Sequence, residues 1–152
     1  MKTKNLNAPD LTKQPPRSPR VRLGGYVILA RCLDKGRASL IGKLGEYHFD
    51  CPLDKQFLQF AGIKADDLKK QLALGKGDGE ILEWITKHST TKPSPWEIVQ
   101  WSTFQEQRTP ADVESQQYFT GEVAKLSKTR SDITTWFEWL DLDDFVSFGG
   151  KA

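Results

Sequence analysis

Apolar positions in this chain recur mainly at helical spacing and predict an all-α, single-domain fold of about six or seven helices. The earliest run, Gly24-Gly-Tyr-Val-Ile-Leu-Ala30, is apolar almost all round, which marks a helix buried on every side. With Ser18 as cap and Pro19 in the first turn, it predicts a helix from Pro19 to about Gly36. Gly24 and Gly25 cost roughly 1 kcal/mol each in a helix, so close approach of another backbone is expected there.

Further along, Asp50 or Cys51 is placed to cap a helix that has Pro52 in its first turn and Phe57, Leu58 and Phe60 in the core, with Gly62 ending it. Asp66 and Asp78 read as caps of two more, burying Leu68 and Leu72, then Ile81, Leu82 and Ile85. The turn Gly75–Gly79 between them lacks the spacing of a phosphate loop. Ser94-Pro-Trp-Glu97, Thr109-Pro-Ala-Asp112 and Thr129-Arg-Ser-Asp132 each put an acid three residues after a hydroxyl, which predicts three helix starts. Phe119, Val123 and Leu126 follow the second start; Ile133, Trp136, Phe137 and Leu140 follow the third. The tail from Asp141 to Phe148 predicts a short extra helix ended by Gly149-Gly150. Short apolar segments around Gly42 and Gly45 allow one β-hairpin near residues 39–49.

Polarity also divides the chain. Residues 1–17 are basic, proline-bearing and poor in apolar groups, and read as a flexible arm ahead of a domain over 18–152. The Ser/Thr/Pro-rich stretch 88–95 marks a subdomain boundary within it. Residues 1–45 carry ten Lys or Arg against Asp10 and Asp34, a net +8, and the remainder balances this to +2 overall. The plain reading is that the two parts neutralise each other in the fold. The alternative is a basic arm for an anionic partner. All five tryptophans lie between residues 84 and 139 beside acidic neighbours, which suits packing better than base stacking.

Two cysteines, Cys32 and Cys51, make neither a disulfide framework nor a four-ligand zinc site. The first eleven residues lack the apolar core of a signal peptide, and no run approaches the roughly 18 apolar residues of a membrane span. A cytoplasmic protein without a membrane role is the expectation.

Candidate chemistry concentrates in Gly45-Glu-Tyr-His-Phe-Asp-Cys-Pro-Leu-Asp54. His48 and Cys51 are the candidate nucleophilic pair, with Asp34 and Asp54 as candidate partners in catalysis. His48, Cys51, Asp50 and Asp54 with Asp34 form an alternative metal set of low specificity. Arg31, Lys35, Arg37 and Tyr47 are the candidate ligand-binding residues, provided their charges are not already taken by internal ion pairs. Capping and packing explain the same stretch without any chemistry.

Pro16-Arg-Ser-Pro19, Leu23–Arg31, Gly45–Asp54, Arg130–Phe137 and the ending Leu140–Gly150 resemble the bacterial domain-of-unknown-function family 5069. The resemblance covers nearly everything after residue 10. It implies that residues 10–152 form one unit, and it implies no activity and no site residues. The reading favoured by the sequence is a non-enzymatic binding module for a protein or a small anionic ligand, without a cofactor. An enzyme or metal site at His48/Cys51/Asp34/Asp54 is the alternative. Nucleic-acid binding through the basic third comes next, disfavoured by the acidic remainder.

Overall fold

A computed structural model describes residues 6–152, so the first five positions of the expected arm lie outside the described residues. Seven helices are present among them: α1 (Leu29–Leu40), α2 (Pro52–Ala61), α3 (Ala65–Ala73), α4 (Asp78–His88), α5 (Pro95–Gln107), α6 (Val113–Leu126) and α7 (Trp136–Ser147). No strand forms among the described residues; the one β-bridge joins Leu23 and Tyr26. The region allowed as a hairpin, 39–49, is instead the end of α1 followed by turns, in which Gly42 and Gly45 adopt φ 69° and 59°.

α1 is the central element. Leu29, Ala30, Cys32, Leu33 and Ala38 are fully buried, and the helix packs against α2 and α3. It begins ten residues later than the apolar run suggests. Gly24 and Gly25 have φ of 58° and 85°, which a right-handed helix does not permit. They form the tip of a tight turn closed by reciprocal backbone bonds between Leu23 and Tyr26, at 3.0 and 3.1 Å. A Cβ at Gly24 would collide with the Leu82 side chain, so the close neighbour is a side chain rather than a backbone. Ser102, fully buried on α5, accepts from Val27 N–H at 3.2 Å and donates to the Gly25 carbonyl at 2.8 Å. One hydroxyl thus satisfies two backbone groups that a buried turn would otherwise strand. Ser18 does not cap a helix; its hydroxyl accepts from Arg20 N–H within a local turn.

Four other starts also shift. α3 is capped at Lys64, with Asp66 inside its first turn, and α4 at Gly77, with Asp78 as its first residue. α6 begins at Asp112, whose side chain accepts from Ser115 N–H at 2.7 Å, rather than at Thr109. α7 begins at Thr135, which accepts from Glu138 N–H at 3.1 Å, while residues 129–134 remain irregular. α7 then runs on through the tail to Ser147, so no separate C-terminal helix forms. The start at Ser94 matches its expectation, with Glu97 N–H at 3.3 Å from Ser94 Oγ and Pro95 leading the helix.

Two apolar clusters result. The larger gathers α1–α4, with Ile98 and Trp101 of α5 and Phe137 of α7. The smaller joins Phe119 and Val123 to Ile133 and Leu142. Four tryptophans pack internally: Trp101 stacks on Phe60 with centroids 4.6 Å apart, Trp84 on His88, and Trp136 meets Phe119 and Trp139 edge-on. Trp96 is exposed. The segment after α4 is tied back to α2, since Thr90 N–H donates to the Gly62 carbonyl and Thr91 to that of Phe60. Leu11 is buried and its N–H donates to Lys43 carbonyl at 2.9 Å.

Candidate functional site

Most of the basic N-terminal third is neutralised by acids from farther along the chain. Arg17 bridges Asp34 and Asp78, Arg20 meets Asp141, and Arg22 meets Glu106. Arg31 forms a two-pronged pair with Asp144, at 2.7 and 3.1 Å, with both side chains almost wholly buried. Tyr47 donates its hydroxyl to the same Asp144 at 2.7 Å, and its ring lies 5.4 Å from the Arg31 guanidinium carbon. Burial and the Asp144 carboxylate hold the Tyr47 phenol well above its ordinary value. Lys35 pairs with fully buried Asp54 at 2.9 Å, and Arg37 with Asp78 at 2.8 Å. The expected cradle of Arg31, Lys35 and Arg37 is therefore corrected: each charge already has a carboxylate, and Arg37 stands apart with the α4 start.

A cleft of about 800 Å³ opens where α1, the 45–51 segment, α2, the end of α5 and α7 meet. Of the residues singled out by the sequence, Arg31, Lys35, Tyr47, His48 and Cys51 line it. Asp34 and Arg37 do not, and Asp54 sits behind Lys35 with its Oδ2 also accepting from Asp50 N–H. His48 and Cys51 share the cleft, yet no hydrogen bond joins them among the described residues. The partner of Cys51 Sγ is Lys35 Nζ, at 3.2 Å. Cys51 also occupies the N-cap of α2, with Pro52 opening the helix. Cys32 is sealed in the core, where burial, reinforced by the charge of Asp54, raises its thiol well above the ordinary value.

The metal set is dispersed in the structure. Asp34 is held by Arg17, Asp50 by Lys55 and Asp54 by Lys35. No group of three or more His, Cys, Asp or Glu gathers in a metal-binding arrangement among the described residues.

Several cleft residues escape sequence reasoning. Arg108, the C-cap of α5, is half-buried in the cleft and lies within ion-pair distance of no carboxylate among the described residues. Its Nη1 donates to Gln56 Oε1 at 2.9 Å and to Gln105 Oε1 at 3.4 Å. Its carbonyl accepts from Trp136 N–H, which fixes the start of α7 against the end of α5. The only local signal was that Arg108 is the one basic residue between Lys92 and Lys125. Trp139 lines the cleft and its indole Nε1 is buried with no acceptor among the described residues, a situation that costs roughly 1–3 kcal/mol. Asp143, also lining the cleft, has its acid strength weakened first by burial and then by neighbouring Asp144. These positions come from α5 and α7, whose distance in sequence from residues 45–54 hides their meeting.

A family model described as a domain of unknown function, DUF5069, matches residues 13–146. The chain belongs to the DUF5069 family. The match spans α1 to nearly the end of α7, so all the cleft-forming helices lie within the family unit. No curated protein matches the chain. The DUF5069 description assigns no reaction, and no helix among the described residues is long and apolar enough to cross a membrane.

Proposed function

We propose that this DUF5069 chain is a binding module whose cleft takes a small anionic ligand. The observation that carries the reading is Arg108: a guanidinium on the wall of a large cleft, held by two neutral amides and within ion-pair distance of no carboxylate among the described residues. The other cleft cations, Arg31 and Lys35, are already compensated. A cleft of this size also falls in the range of small-molecule sites, roughly 300–1,000 Å³. In ¹⁵N-resolved NMR titrations with benzoate and with phenyl phosphate, at least one anion is expected to shift the Arg108 Nε–H and Trp139 indole signals saturably. Failure of both anions to move either signal would sink the reading.

A second reading is supported by the 3.2 Å approach of Lys35 Nζ to Cys51 Sγ. That contact holds the Cys51 sulfur in place on the wall of the cleft, where a nucleophile would meet a bound molecule. In this reading Cys51 is the nucleophile and Lys35 its positioning cation, in place of His48. Iodoacetamide at neutral pH is expected to label Cys51 and spare Cys32, with slower labelling in Lys35→Gln than in His48→Gln. Equal rates in the two variants, each checked for native circular dichroism, would remove Lys35 from that role.

A further inference from the structure

We infer that the ligand is a monocarboxylate with a flat apolar body, an assignment that rests on the binding reading above and narrows it. The argument starts from the unused edge of Arg108. Its Nη1 is spent on Gln56 and Gln105, which leaves Nε–H and Nη2–H without acceptors among the described residues. Those two donors point side by side and match two coplanar oxygens, the geometry of a carboxylate. The two glutamine amides hold the guanidinium from α2 and α5, so the fork is oriented before any ligand arrives.

Charge then selects between anions. Arg31 and Lys35 are neutralised by Asp144 and Asp54, while Glu46 and Asp143 also line the cleft. Arg108 is the cleft cation without an ion pair among the described residues, and the nearby carboxylates disfavour more than one negative charge on its partner. A phosphate dianion would bring a second charge towards carboxylates with nothing to compensate it. Size and wall chemistry select the rest of the molecule. A space of about 800 Å³ is far larger than a bare ion needs, and Leu53, Trp136, Trp139 and Leu140 wall it. Flat indole rings at the wall favour a flat partner, through offset or edge-on ring contact.

Calorimetric titration of the full chain with 2-naphthoate, 2-naphthamide and 2-naphthyl phosphate tests this. Naphthoate is expected to bind, with the amide and the phosphate each weaker by about tenfold or more, as loss of a charge-assisted fork implies. Arg108→Lys keeps the charge but not the fork, and is expected to weaken naphthoate by about tenfold while circular dichroism stays native. Naphthyl phosphate binding as well as naphthoate would overturn the carboxylate assignment and leave the anion reading standing. Naphthamide binding as well as naphthoate, or an unchanged affinity in Arg108→Lys together with Arg108→Met, would overturn both. No heat and no cleft shifts with any of the three would also remove both.

Discussion

At the scale of single residues, the cleft is bordered by a carboxyl group in an unfavourable place. Asp143 is part-buried and adjoins Asp144, whose charge is committed to Arg31, so ionising Asp143 is harder in the folded chain than in the unfolded one. A folded acid weaker than its unfolded form keeps its proton to higher pH. Its contribution to stability therefore declines as pH rises from the ordinary value, 3.8, through the raised folded value. Asp143→Asn removes the titrating group but keeps its size. The variant is expected to melt higher than the parent at pH 7, with the gap closing below about pH 4. A gap that stays constant with pH would show that the substitution acts through packing instead. Asp78 is the opposite case: hydrogen bonds from Arg17 first, then Arg37, hold its carboxyl below the ordinary value, so its contribution is present above 3.8 and is lost as pH falls through the lowered folded value.

At the scale of elements, sequence patterns identified which segments are helical better than where each helix begins. The inward positions of α2, α3 and α4 were legible because Phe57, Leu68, Leu72, Ile81 and Ile85 follow the helical period, and all are buried. Starts were less legible because several hydroxyls and acids compete for each cap. Thr109 and Thr129 offered plausible boxes, but Asp112 and Thr135 lie nearer the residues that must be buried, Phe119 and Phe137. Asp78 shows another cause. Its carboxylate is drawn to Arg17 and Arg37, both distant in sequence, which leaves the cap to Gly77. The start of α1 is not legible, because an all-apolar run with two glycines suits a buried helix and a buried turn alike. Ser102, 75 residues or more away, provides the bonds that make the turn tenable. Of the cleft wall, Tyr47, His48 and Cys51 stand in the polar run 45–54 that the sequence singles out, and Arg31 and Lys35 in the basic end of the first helix. Arg108, Trp139 and Asp143 were not legible, because only tertiary packing brings α5 and α7 beside that run.

At the scale of the whole molecule, the charge asymmetry resolves into internal pairing. Arg17, Arg20, Arg22, Arg31, Lys35 and Arg37 each meet an acid, and all but Lys35 meet one at or beyond Asp78. The Arg31–Asp144 pair ties α1 to α7 and is almost wholly buried. Breaking one side of such a pair strands a buried charge, at a cost of about 3–5 kcal/mol. Asp144→Ala is expected to lower the unfolding free energy in urea by that amount, whereas Arg31→Met with Asp144→Leu together costs less than Asp144→Ala alone. A double variant whose loss equals the two single losses added would show the pair to be uncoupled. The same pair bears on how the protein is made. A ribosome releases residue 31 long before residue 144, and the two are 113 positions apart. Until the last helix emerges, Arg31 is without its carboxylate, so sealing that side of α1 from water is expected to wait for the end of translation, while α1 to α4 can pack before it.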